Sequence, residues 1–280
     1  MADLISIIVT TCNREDALDA VLRSLSRQTD REFEVIVADD GSGPATAELI
    51  ENWKGKLGRP LSHVWQERKG FRAAEIRNRA IVASRGTYCI FLDGDCIARR
   101  DFVAVHRRLA EPGWFVTGNR ILLSEDLTQT LLRDKLDVET WSYRAWTRER
   151  AKGGINRTVP LVRLPLGPLR KLRWRAWRDA RSCNLGIWRS DLDRVDGFDS
   201  DYAGWGREDS DLLVRLLHAG VRRKDGVFAS GVLHLWHPAA DRSWLPDNDR
   251  KLDEARSDQR VRARRGLSAV ETHVAERALT

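Results

Sequence analysis

The run YCIFLDGDCI, Tyr88 to Ile97, moves without a break from apolar residues to two carboxylates, Asp93 and Asp95, around Gly94. Five consecutive residues with no polar alternation are the mark of a strand buried on both faces. Working outward, the residues upstream repeat that pattern. Ile5 to Thr10 (ISIIVT) and Phe33 to Ala38 (FEVIVA) read as buried strands, and Leu61 to Gln66 as a weaker one. Between them, Glu15–Ser26, Ala45–Trp53 and Ala73–Ser84 carry apolar residues at helical spacing. The order βαβαβαβ predicts a mostly parallel sheet with helices on both faces. Ligands bind such sheets beyond the carboxyl ends of the strands. Thr11 and Asn13, Asp39 and Asp40, and Asp93 and Asp95 come after three of those strands and are expected to converge on one edge.

Downstream the pattern loosens. A helix over Phe102–Leu109 and a short strand over Trp114–Thr117 are expected. Trp141 to Arg178, broken by Pro160, Pro165 and Pro168, reads as a loop followed by a short amphipathic helix. From Asp247 the chain is highly charged and reads as an exposed terminal helix.

Bulk properties set the outer limits. A chain of 280 residues with 42% apolar and 32% charged residues buries a real core and is not disordered. No apolar run approaches the roughly 18 residues that span a bilayer, and MADLISIIVTTC reads as a first strand rather than a signal peptide. Four cysteines without CxxC spacing, with Cys89 in an apolar run, fit free thiols in a reducing, cytoplasmic setting. The net charge of +7 is uneven: Thr140–Arg178 holds eleven Lys/Arg against Glu149 alone, a local +10 that leaves −3 for the rest. An anionic partner is therefore a question for that segment only. It reads as an acceptor-side surface for an acidic glycolipid, as an inner-membrane contact, or as a solvated basic face. Tryptophans interleaved with those charges also allow a nucleic-acid reading, but that reading leaves the motifs below unexplained.

Three constellations carry chemistry. In Asp93-Gly94-Asp95, strand alternation puts both carboxylates on one side if the backbone stays extended, and Gly94 lets the chain bend and a ligand approach. Two such acids repel, and a divalent cation removes that cost while binding pyrophosphate oxygens; a solvated acidic turn is the plain alternative. Gly204-Trp205-Gly206 sets a large ring in a flexible hinge, suited to an apolar sugar face. Glu208, Asp209 and Asp211 come next at the start of a helix, where acids are favoured by the dipole in any case. One of them placed in a cleft takes a proton from a hydroxyl. Finally, His234 and His237 flank Trp236. Imidazoles suit transition metals, so a site that joins them to Asp95 favours Mn2+ over Mg2+; packed or exposed histidines are the alternative.

The ordered set VTTCNR, VADDGS, GFRAAEIRNRAI, FLDGDC and GWGREDSD resembles family 2 glycosyltransferases of the GT-A fold, from about Ile5 to about Asn248. The second half resembles the galactosyltransferase-type region of chondroitin polymerases and β-1,4-galactosyltransferases. The resemblance implies a GT-A domain over 1–246, α/β and Rossmann-like. Its nucleotide-sugar half would cover about 1–120, a basic insert about 140–180 and an acceptor half 181–246, with a charged helical tail over 247–280. It implies nucleoside binding by Thr10, Thr11, Asn13, Arg14 and Asp39, with Asp39 on the uracil N–H. Arg77, Asn78 and Arg72 would lie near the diphosphate beside Asp93 and Gly94. The metal set would be Asp95 with Asp93, His234 standing at a Met-like and His237 at a His-like position. Gly204, Trp205, Gly206 and Glu208 would meet the acceptor, and Asp209 would be the base. The function so implied is inverting, metal-dependent transfer of a hexose or N-acetylhexosamine from a UDP-sugar to a glycan or glycolipid hydroxyl. Bacterial lipopolysaccharide core or capsule assembly is the expected setting, and transfer to a polyprenyl phosphate is the nearest alternative.

Overall fold

The computed structural model describes residues 2–270. In chain order the elements are β1 (Ile5–Thr11), α1 (Glu15–Ser26), β2 (Phe33–Asp39), α2 (Pro44–Lys54), β3 (Leu61–Trp65), α3 (Ala73–Ala83), β4 (Tyr88–Asp93), β5 (Cys96–Ala98), α4 (Phe102–Leu109), β6 (Trp114–Thr117) and β7 (Arg120–Leu122). They continue with α5 (Glu125–Arg133), α6 (Tyr143–Ala151), β8 (Asn184–Trp188), α7 (Arg189–Val195), α8 (Glu208–His218), β9 (Arg222–Asp225), β10 (Val232–His234) and α9 (Leu245–Ser257).

A seven-stranded sheet runs in the order β3-β2-β1-β4-β8-β6-β9. The strands β3, β2, β1 and β4 are parallel, with Ile8 paired to Ile36 on one side and to Phe91 on the other. The strand β8 is antiparallel to both β4 and β6, while β6 and β9 are parallel. Only β8 is reversed, so the sheet is mostly parallel as its apolar runs imply. Strand parity divides the core into two layers. Ile7, Val9, Val35, Val37, Ile90 and Leu92 pack with α1 and its neighbours. Ile8, Ile36, Ala38, Cys89 and Phe91 pack with α3, α7 and α8. A second sheet, β5-β10-β7, stands at the carboxyl end of β4.

Two sequence expectations change. The basic segment holds its helix first, at α6, and then only the 3-10 turns Val159–Leu161 and Gly167–Lys171. Pro160, Pro165 and Pro168 remove the amide donors a helix there would need. The helix α9 ends at Ser257, and the chain beyond it is anchored at a few points rather than free: Arg260 reaches Asp211 (3.2 Å) and Asp199 (3.5 Å), Leu267 is buried in the second core layer, and 267–270 are helical again. Residues 271–280 of the expected tail lie outside the described residues.

The docking surface for that segment is α8. Asp211 and Arg215, both fully buried, form an ion pair at 2.7 Å one helical turn apart. Arg215 also donates to the carbonyls of Val195 (2.6 Å) and Gly197 (2.8 Å). Removing one member of a buried pair strands the other charge. Asp211→Ala is expected to cost about 3–5 kcal/mol in urea unfolding, and a loss below about 1 kcal/mol would show that water reaches Arg215.

Candidate active site

A cleft of about 820 Å³ opens where β1 and β4 end and is closed on its far side by α8 and the small sheet. At its centre lies the Arg77 guanidinium, from α3. Arg77 is buried, and it donates from Nε to Thr10 Oγ1 (3.1 Å), from Nη1 to Glu208 Oε1 (3.0 Å) and from Nη2 to Asp93 Oδ1 (3.3 Å). Its flat face lies 5.4 Å from the Phe198 ring centroid. One cation thus joins the end of β1, the end of β4 and the first residue of α8. A planar fork of donors can do this, whereas a lysine cannot.

The acids around it have different lives. Burial pushes the Asp93 carboxyl up to about 6 against the pull of Arg77, and the Asp95 charge adds to the rise. Burial and the neighbouring Asp209 also push Glu208 up, although Arg77 opposes this. Asp209 Oδ1 accepts from Ser210 N (2.7 Å) and Ser210 Oγ (3.3 Å), while Oδ2 accepts only a long bond from Ser182 N (3.4 Å). Glu208 is therefore committed to Arg77, and Asp209 keeps lone pairs for a ligand. Asp211, the third acid of the motif, is structural.

Asp93 and Asp95 both line the cleft but do not act as one pair. The chain turns at Gly94 and Asp95, so the extended geometry that would align them is lost. Asp93 groups with Cys96 and Cys183; Asp95 groups with His234 and His237, their ligand atoms all within 4.8 Å of one another. Asp95 Oδ1 lies 3.7 Å from His234 Nε2, and Oδ2 lies 3.4 Å from His237 Nε2. Antiparallel pairing of His234 with Cys96, and Leu235 N donating to the Asp95 carbonyl (2.9 Å), hold this trio together. Burial lowers the His234 pKa, which keeps its ring neutral. The His237 Nδ1 sits 2.7 Å from the Pro238 carbonyl; an N–H at Nδ1 donating to that oxygen leaves the Nε2 lone pair facing Asp95. One carboxylate and two imidazoles fit a transition-metal dication with coordination positions to spare.

The opposite wall is the Gly204–Arg207 loop. Trp205 and Trp236 are each 37% exposed along the cleft. The loop is held from outside: Asn248 of α9 donates to the carbonyls of Ala203 and Gly206 (2.9 Å each), and Arg207 pairs with Asp249. Gly204 and Gly206 both have positive φ, and Gly204 packs on the Trp244 ring, where a Cβ would collide.

Thr10, Thr11, Asn13 and Arg14 line the cleft, and the buried Thr11 hydroxyl has no partner. Other expectations need correction. Asp39 lies beneath the wall, accepting from Ser42 N (2.8 Å) and facing His63 Nε2 (3.0 Å), while Asp40 lines the cleft. Arg72 is spent on Glu75 (2.9 Å) and the Glu67 carbonyl. Asn78 is fully buried and exchanges two 2.8 Å bonds with the Phe198 backbone. Gly204 faces Trp244, outside the cleft lining. Gly94 lines the cleft, and its lack of a side chain also makes room for β1: a Cβ there would meet the Thr10 carbonyl at 2.9 Å. Sequence reasoning missed Arg68, Arg120 and Arg181, which line the cleft, and Asn248 behind it. None stands in a motif with a spacing of its own.

The model of glycosyl transferase family 2 matches residues 6–160, and that of the N-terminal domain of galactosyltransferase matches 169–235. The chain belongs to glycosyl transferase family 2. It is 27% identical over 237 residues to validoxylamine A glucosyltransferase of Streptomyces hygroscopicus subsp. limoneus, covering 78% of this chain and 49% of that one. It is 27% identical over 229 residues to chondroitin synthase of Pasteurella multocida, covering 77% and 23%. The chain therefore spans half or less of the length of these relatives. A mannosyltransferase from Pyrobaculum calidifontis, solved with GDP-Man and Mn2+, superposes with a TM-score of 0.63 at 18% identity, covering 90% of this chain and 64% of that one. The fold is GT-A.

The raised Asp93 pKa makes a signed prediction. The folded chain keeps a proton on Asp93 that the unfolded chain releases near pH 4. Its contribution is thus fully present below about pH 4 and lost as pH rises through about 6. Metal-free Asp93→Asn is expected to lose less melting temperature than wild type between those values. Parallel curves for the two proteins would assign the titration to another group.

Proposed function

We propose that the protein is an inverting, metal-dependent glycosyltransferase that moves a hexose or N-acetylhexosamine from a UDP-sugar to a glycan or glycolipid hydroxyl. The observation that carries this reading is one cleft holding both the Asp95–His234–His237 donor trio and a separately held carboxylate, Asp209. Thr10, Thr11, Asn13 and Arg14 would bind the nucleoside side. Arg77 would fix the acids on either side of the diphosphate, and Arg68 and Arg120 add positive charge along the same wall. Asp95, His234 and His237 would hold Mn2+, whose charge, when bound, offsets that of the leaving diphosphate.

Trp205 and Trp236 offer flat apolar faces to the acceptor sugar. Asp209 would take the acceptor hydroxyl proton as that oxygen bonds to the anomeric carbon. The bond to the diphosphate oxygen breaks with its electron pair, and a single displacement inverts the configuration. Cytoplasmic lipopolysaccharide core or capsule assembly is the setting this reading favours. No helix among the described residues is long and apolar enough to cross a membrane.

Calorimetry with UDP and UDP-sugars, with and without Mn2+, tests the donor site. Binding that needs Mn2+ and disappears in Asp95→Ala is expected, and tighter binding of GDP would overturn the UDP assignment. Asp209→Asn is expected to keep UDP binding and lower turnover by about 10²- to 10⁴-fold. Unchanged turnover would remove Asp209 as the base.

A further inference from the structure

Between Glu149 and Asp179 the chain carries nine Lys/Arg and no acid. Its 3-10 turn, Gly167–Lys171, lies along the edge strand β9 and is pinned there by Arg170. That buried guanidinium donates from Nη1 to the carbonyls of Asp225 (2.9 Å) and Val227 (2.6 Å), and from Nη2 to the Leu164 carbonyl (2.9 Å). With Arg170 turned inward, its neighbours are turned out. Side chains three apart nearly eclipse in this geometry, so Leu169 and Leu172 stand together, 60% and 74% exposed. Leu164 at 42% and Trp174 at 38%, the latter beside the Arg175 and Arg222 guanidiniums, are exposed in the same segment. Such clusters of large apolar side chains mark contact surfaces.

Beside the leucines lies a cavity of about 650 Å³, separate from the active-site cleft, whose wall includes Arg108, Arg163, Lys171 and Lys224 together with Leu164 and Phe228. Its one lining acid, Glu111, is bound by Lys171 (2.6 Å) and Lys224 (2.9 Å), and Arg163 pairs with Asp101 just outside it (2.6 Å), so these four cations face two acids and Arg108 has no ion pair among the described residues. Protruding leucines around a cation-lined cavity define what fits: hydrocarbon at the rim and a phosphate within. A second copy would bring the same positive face against this one and be repelled, and a nucleic acid would leave the leucines unused.

We propose that this face docks on an anionic lipid bilayer, with Leu169, Leu172 and Trp174 entering the interface and the cavity holding a lipid phosphate headgroup. The surface would keep the enzyme beside membrane-anchored molecules. It stands on its own observations and not on the donor chemistry.

Flotation of the full chain with vesicles tests it. Vesicles of phosphatidylcholine are compared with others in which about a third of the lipid is phosphatidylglycerol. Binding only to the anionic vesicles, weakened by salt, is expected. The double variant Leu169→Ser/Leu172→Ser and the single variant Arg108→Glu are each expected to weaken it by about tenfold or more. Both should keep wild-type circular dichroism and nucleotide binding. Absence of wild-type flotation, or flotation that neither variant weakens, overturns the proposal. So does light scattering that shows a wild-type dimer converted to monomer by the leucine variant. Because no readout involves transfer, failure here and failure of the transferase reading are distinguishable.

Discussion

The site depends on one buried cation. The Arg77 fork is the point at which the ends of β1 and β4 and the start of α8 are joined, and its three contacts reach residues 67, 16 and 131 positions away in sequence. Without it, the cleft-lining Asp93 and the buried Glu208 and Asp209 would be neighbouring carboxylates without the cation that now joins them. An arrangement of that kind either takes up protons or moves apart. With it, Glu208 is fixed as a partner and Asp209 is left with unused lone pairs. The division of labour between two adjacent acids is set by which of them the arginine can reach.

The Asp95–His234–His237 trio is built in a different way. Asp95 comes from the turn after β4, and the two histidines come from the end of β10 and the segment beyond it. Backbone pairing of β5 with β10 brings them together. The three-residue spacing of His234 and His237 then needs no helix: one ring leaves the last residue of a strand and the other approaches from the following loop. Strand pairing fixes Asp95 and His234, and the His237–Pro238 contact sets the second ring.

Much of this was legible in the sequence. The continuous apolar runs at Ile5, Phe33 and Tyr88 could be nothing but buried strands once helical patterns separated them, and the DGD, GWGRED and HLWH elements did meet in one cleft. What the sequence hid was decided by distant backbone. Asn78 looked like a polar residue aimed at a ligand, yet its amide is used by Phe198, 120 positions later. Asp39 looked like a free carboxylate, yet the turn to Ser42 and the neighbouring His63 consume it. Gly94 read as room for a ligand, and it lines the cleft, but the sequence did not show that the end of β1 also needs that space. In the basic segment, the prolines announced the break, but not that the helix would precede it or that Arg170 would turn inward and push leucines out.

The attachment of α9 has a consequence for how such a cleft diverges. Asn248, Trp244 and Asp249 touch the acceptor-side loop from behind and touch none of the nucleotide-side residues described above. Sequence change in α9 can therefore reshape the Gly204–Arg207 wall of the cleft. Under the proposed function, selectivity for the molecule that receives the sugar would be inherited separately from selectivity for the molecule that brings it.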